Sequence, residues 1–319
     1  MEGGSPVDSI TVALNAVIPF LVYMGVGGIA TRLKWANDDL WRKLNSLVFK
    51  TMFPFMMFSC IYRVDSDIEV NWLYIGTALA SVFVLVGILM VVVPRVVPGN
   101  PQRGVIVQGI YRTNMVFFAL PMAESVFGDQ ALVATATIIA FIAPTYNILA
   151  VIILEYFRGG SASPKVLALS LIRNPLIQGF IAGLIFHFAG WKLPGPIESP
   201  ILTLANISIP LALIVLGGTL RFSEVRENAR TVSTVIIVKM IILPIIMLGI
   251  TLLLPLSAPE RFMILLMFAA PTASASYPMA ENMGGDGPLA GQIVAVSSVI
   301  SIVTLFLWVV VLGAAGLLT

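Results

Sequence analysis

Ten stretches of about twenty mostly apolar residues follow one another along this 319-residue chain, at 10–31, 44–62, 72–94, 104–126, 131–154, 168–190, 198–220, 231–255, 260–282 and 288–316. A helix of roughly 20 residues crosses the hydrocarbon layer of about 30 Å. Lipid offers backbone amides no partner, so segments without strand-like alternation must cross as helices. The sequence therefore predicts an all-α integral membrane protein with ten transmembrane helices. Composition agrees: 58% of residues are hydrophobic and 11% charged, against about 25% charged in soluble domains. A net charge of +2 from scattered basic residues forms no patch for a nucleic acid, which is not expected as a partner. Cys60 is the single cysteine, so neither an internal disulfide nor a thiolate metal cluster is expected.

The opening MEGGSPVDS has no basic residue ahead of the first apolar run, so that run is expected to be a span of the mature protein rather than a cleaved signal. Lys and Arg gather in one set of alternate loops, eleven against three, with four more inside spans, which accounts for all 18. Cytoplasmic loops carry such an excess. Both termini are therefore expected outside, in a multi-pass protein of the plasma (cell inner) membrane.

PMAESVFGD at 121–129 returns as PMAENMGGD at 278–286, 157 positions later. Such self-similarity points to an internal duplication. The first copy closes span four and the second closes span nine. Five spans separate them, an odd number, which inverts the orientation. The expected architecture is two inverted five-helix repeats, 1–160 and 161–319, in a single membrane unit, an arrangement common among secondary transporters. Pro54 in span two and Pro210 in span seven, 156 positions apart, extend the correspondence.

Spans four and nine are also predicted to be broken at depth. The middle of span four falls near Asn114, and the middle of span nine near Pro271 and Thr272, 157 positions past Asn114 and Met115. In APTASASYP, two prolines seven residues apart leave carbonyls without intrahelical donors, with Thr272, Ser274 and Ser276 among them. Irregular backbone at such depth belongs where protein or a watery cavity satisfies it. Half-helix ends there offer amides and partial positive charge to an anion.

These residues carry a resemblance. RTNMVFFALPMAESVFGDQAL, RNPLIQGFIAGLIF at 173–186, and APTASASYPMAENMGGD together with SSVISIVTLFLW resemble the auxin efflux carrier family, whose bacterial members are associated with malate, malonate and similar organic acids. The resemblance implies two inverted five-span repeats, with spans four and nine crossing at their breaks to hold the substrate. It places the family's crossover Asn on Asn114 and its span-nine crossover Pro on Pro271. Plant members often carry a second Pro directly before that Asn; here Thr113 stands there, which weakens any transfer of auxin specificity. Sodium-coupled bile-acid-type symporters share the fold, so a sodium-coupled alternative stays open.

Other residues have competing readings. Arg112 lies roughly 13 Å inside span four at 1.5 Å per residue, where an unpaired charge costs a few kcal/mol. It is expected either to attract a substrate carboxylate, to pair with a carboxylate of the protein, or to reach back to the cytoplasmic surface. Lys50 and Lys239 are expected to reach back in that way. Glu124 and Glu281 should lie far apart, on opposite sides of the midplane, as vestibule or coupling residues. Asp129 and Asp286 read as helix N-caps, the latter with Pro288 two residues on. Asn15, Tyr146, Asn147 and Asn206 are further cavity candidates. His187 is the single histidine, too few parts for a histidine zinc site or a catalytic triad.

The reading is a secondary transporter of efflux-carrier type, not an enzyme, moving a small organic anion by alternating access. Asn114, Thr113, Pro271, Thr272 and Ser274 would shape the site and Arg112 would supply charge. No cofactor is expected, with proton or sodium coupling undecided. The expected partners are the anion and the lipid bilayer, with a homodimer left open. The alternative from another class is a membrane ligand sensor that does not transport.

Overall fold

The computed structural model describes residues 6–63, 71–128, 130–158, 169, 172–220 and 228–318, and among them all regular structure is helical. The helices are α1 (Pro6–Arg32), α2 (Asp38–Tyr62), α3 (Trp72–Val96), α4 (Asn100–Tyr111), α5 (Leu120–Phe127), α6 (Gln130–Arg158), α7 (Pro175–Phe188), α8 (Gly195–Thr219), α9 (Ala229–Ile237), α10 (Leu243–Leu252), α11 (Ala258–Ala269), α12 (Ser276–Asn282) and α13 (Gly287–Ala314). A π-turn at Met115–Ala119 leads into α5, and another at Val238–Ile242 joins α9 to α10.

Six described segments are long and apolar enough to cross a membrane: 38–62, 72–96, 134–158, 195–219, 229–252 and 287–314. Shorter apolar helices cover 18–32 and 175–188. The chemistry of α3 shows what solvent these helices face. Ala78, Val82, Leu85, Leu89 and Val93, three to four apart, form its buried stripe, while Phe83, Val84, Ile88 and Val91 on the other side are exposed. A helix apolar on its outward face as well as its inward one is built for lipid. Polar caps mark where several helices begin. The Asn37 side chain accepts the N–H of Leu40 at 2.9 Å, and Asn174 that of Leu176 at 2.9 Å. Asp286 accepts the N–H of Leu289 at 3.0 Å, the cap expected there. Asp129 lies outside the described residues.

The two halves of the chain interlock. From the first half, α1 packs on α8 and α2 packs on both α7 and α8. Glycines set these distances. A Cβ on Gly27 would collide with the backbone of Ile214 and Gly218, one on Gly217 with Met24, and one on Gly179 with the backbone of Pro54. Membrane helices gain nothing from burying apolar surface against each other rather than against lipid, so close backbone approach and van der Waals packing hold them together. Thr31 Oγ1 donates to the Gly218 carbonyl at 2.9 Å and accepts from Trp41 Nε1 at 2.8 Å, tying α1, α2 and α8 at one point. The remaining helices surround α4–α5 and α11–α12, the two interrupted elements.

Candidate functional site

Both interruptions fall where the sequence predicts them. Helix α4 stops at Tyr111, and Arg112 is extended, with φ −87° and ψ 127°. Helix α11 stops at Ala269, and Ala270 is extended, with φ −75° and ψ 158°. Thr113 and Thr272 then face each other as an isolated antiparallel bridge. Beside it, Asn114 donates its backbone N–H to the Pro271 carbonyl at 3.0 Å. The bridge cannot grow into a ladder there, because Pro271 has no N–H to return. Two β-branched threonines and a proline thus favour extended backbone where a helix would need its next turn.

An interrupted helix exposes carbonyls that lipid cannot satisfy. Here side chains from elsewhere take them. Thr272 Oγ1 donates to the Gly109 carbonyl at 2.8 Å. Lys239 Nζ donates to the carbonyls of Ile110 at 3.2 Å and Arg112 at 3.0 Å, and to Thr113 Oγ1 at 2.6 Å. On the other interrupted helix, the Tyr146 hydroxyl donates to the Met267 carbonyl at 3.3 Å. The Thr272 N–H goes to Ser297 Oγ at 3.2 Å, and Asn114 Nδ2 to Ser274 Oγ at 3.0 Å.

Two cations are buried in this crossing. Lys239 is 0% exposed, which corrects the expectation that it reaches back to the membrane surface. The π-turn that carries it packs against α4, and its stem runs inward to the α4 terminus. Arg112 is 3% exposed, so it does not reach the surface either. Its Nη1 donates to Gln108 Oε1 at 2.9 Å and Met279 Sδ at 2.9 Å, and its Nη2 to Asn147 Oδ1. All three acceptors are neutral. The expected alternative of a protein carboxylate is not realised among the described residues, where the hydrogen bonds of the guanidinium go to these neutral acceptors.

The structure therefore gathers Arg112, Thr113, Asn114, Asn147, Pro271, Thr272 and Ser274, all buried, into one place. Tyr146 joins them through Met267. Three predicted candidates lie elsewhere. Glu124 is exposed beyond the α5 side of the crossing. Glu281 is half-buried and lines a separate cavity of about 310 Å³ with Asp38, Arg42, Thr219, Tyr277 and Gln292. Asn206 is exposed on α8, away from the crossing, because the buried side of that helix runs through Ala205, Ser208 and Ala212. The Asn15 side chain lies outside the described residues, and Lys50 is exposed.

Sequence reasoning missed Gln108 and Met279 and misplaced Lys239. Gln108 precedes Arg112 by one helical turn, a spacing at which side chains meet, and that signal was available. Its Nε2 is buried with no hydrogen-bond partner, which leaves a donor beside the guanidinium. Buried donors with buried cations and no carboxylate, among the described residues, suit an anion with several oxygen acceptors. Those residues contain no group of three or more His, Cys, Asp or Glu able to hold a metal ion.

A family profile described as "Membrane transport protein" matches residues 12–309. The chain is 26% identical over 311 residues to a protein of Methanothermobacter thermautotrophicus named "Uncharacterized transporter", covering 93% of this chain and 98% of that one. It is 22% identical over 237 residues to a protein of Rhizobium meliloti named "Putative malonate transporter", covering 72% of this chain and 74% of the relative. The family and both relatives are described as transporters rather than enzymes.

Proposed function

We propose that this chain, which belongs to the membrane transport protein family of auxin-efflux-carrier-like proteins, is a secondary carrier for a small organic dicarboxylate of the malonate or malate class. The observation that carries this reading is the pair of buried cations, Arg112 and Lys239, set at the crossing with no carboxylate partner among the described residues. A buried, unneutralised charge in a membrane marks a substrate or ion path. Lys239 has its donors committed to oxygens of the chain, whereas Arg112 is held only by neutral groups. Arg112 is therefore the group that meets a carboxylate, with Gln108, Asn147, Asn114 and Ser274 around it. The name of the Rhizobium relative favours malonate as the first anion to try.

The carrier works by alternating access. The halves 1–160 and 161–319 are inverted copies of five spans, and the substrate sits between the interrupted spans four and nine near the bilayer midplane, where carriers of this design bind. The antiparallel pairing at Thr113 and Thr272 supports this, because inverted copies must cross in opposite directions. Glu124 and Glu281 stand at vestibules on opposite sides. The chain resides in the cell inner membrane with both termini outside.

The test is uptake of radiolabelled malonate into proteoliposomes of purified protein. Accumulation above empty liposomes, lost in Arg112→Ala, supports the carrier. Binding of malonate without accumulation would instead make the protein a ligand sensor.

A further inference from the structure

We infer that the Lys239 ammonium is a tethered cation filling a monovalent-cation site at the C-terminal end of α4, so that the protein needs no dissolved cation there. Three oxygens surround Nζ: the Ile110 carbonyl at 3.2 Å, the Arg112 carbonyl at 3.0 Å and Thr113 Oγ1 at 2.6 Å. Two of the three are backbone carbonyls at the end of a half-helix, where partial negative charge collects. Unwound carbonyls and half-helix C-termini are the oxygens that carriers with broken helices present to sodium. An ammonium has three N–H donors, one for each oxygen found here. Lys239 is 0% exposed, so its charge is shut off from bulk solvent and meets these three oxygens.

The second interrupted helix shows that the cation is not a general requirement of such ends. Met267 stands 157 positions after Ile110, as the second nonamer stands after the first, and its carbonyl is met by the neutral Tyr146 hydroxyl at 3.3 Å. One half-helix end is thus closed by a charge and its counterpart by a dipole. The charge arrives from the π-turn Val238–Ile242, where the N–H of Leu243 reaches the carbonyl of Val238. A π-turn inserts one residue into the helix and rotates the following face, a device found at functional sites. Shortening Lys239 would leave three inward-facing oxygens that a small free cation can satisfy.

The experiment measures the unfolding midpoint of the purified full chain in detergent, at equal ionic strength, in sodium, potassium, ammonium, methylammonium or choline chloride. Wild type should unfold at the same temperature in all five. Lys239→Ala should be lowered in choline and raised by about 3 °C or more in sodium or methylammonium, since a ligand bound only by the folded state stabilises it by mass action. Lys239→Ser, which leaves a smaller cavity, should respond in the same direction. Lys239→Met, whose apolar chain fills the cage, should not respond. The inference is overturned if neither the Ala nor the Ser variant responds, if Met or wild type responds equally, or if Ala and Ser yield no folded protein in any salt. Because unfolding needs no transport, failure here leaves the carrier reading intact, and absence of uptake leaves this inference intact.

Discussion

Asn114 gives its backbone N–H to the carbonyl of Pro271 at 3.0 Å, and these two residues are separated by the same 157 positions that separate Glu124 from Glu281. In an antiparallel pairing set by Thr113 opposite Thr272, only one pair of facing residues can be 157 positions apart, and it is this one. In the proposed inverted arrangement, the axis relating the two halves passes through this bond. Its side-chain companion, Asn114 Nδ2 to Ser274 Oγ at 3.0 Å, fixes the distance between the two interrupted helices.

That companion bond can be measured by a double-mutant cycle. Asn114→Ala and Ser274→Ala should each lower stability by about 1 kcal/mol, the usual worth of one hydrogen bond. The double variant should lose about as much as either single one, giving a coupling of about 0.5–1 kcal/mol. Unfolding midpoints in detergent provide the stabilities. Malonate uptake by the same proteins should fall at least tenfold in Asn114→Ala, because the side chain also lines the proposed site.

Arg112 provides a prediction about affinity. A hydrogen bond to a charged group contributes about 1.5–3 kcal/mol, so Arg112→Ala should weaken malonate binding by roughly 10- to 150-fold. Arg112→Lys keeps the charge but loses the planar fork that reaches Gln108 and Asn147 together; its affinity should fall between the two. Malonate-induced thermal shifts across a concentration series read both values without requiring transport. Unchanged affinity in Arg112→Ala would remove the guanidinium from the site.

How far the sequence could be read follows from where each signal resides. The six long apolar helices are legible because their apolar character is continuous, whichever way each helix turns. The second interruption is legible from Pro271 and Pro278, whose missing N–H groups are written in the chain. The first has no proline at its centre and becomes visible mainly through the 157-residue spacing. Lys239 was not legible. A lysine some eight residues inside a span can equally extend outward along its own stem, and the π-turn that aims it inward has no residue signature. Asn206 failed for a related reason: its distance from Pro210 says nothing about which side of α8 packs. Glu124 and Glu281 share a motif yet differ in exposure, because identical local sequence meets different neighbours in the two halves.

Asp286 is a legible feature with a modest, checkable energy. It caps α13 by accepting the Leu289 N–H at 3.0 Å, receives Gln102 Nε2 at 3.3 Å, and gives its own N–H to the Pro101 carbonyl at 3.1 Å. Asp286→Ala should therefore cost about 1–2 kcal/mol through the lost cap. Asp286→Asn, which still accepts the capping bond, should cost well under half of that. The unfolding midpoints of the two variants should separate by a few degrees in that order.

The glycines of the α1–α8 contact allow a prediction of opposite signs within one small region. Gly217 lies so close to the backbone of Met24 that a methyl group cannot fit without moving one helix. Gly25, on the facing helix α1, has nothing within 4 Å of where its Cβ would be. In a helix, replacing Gly by Ala gains roughly 0.5–1 kcal/mol where there is room, whereas forcing a methyl into tight packing costs about 1–3 kcal/mol. Gly25→Ala should thus raise the unfolding midpoint slightly and Gly217→Ala should lower it by several degrees. Helix propensity alone predicts a gain for both, so a fall confined to Gly217 isolates the interhelical contact as the cause. A fall at both positions, or at neither, would mean that α1 and α8 do not approach as closely as their glycines allow.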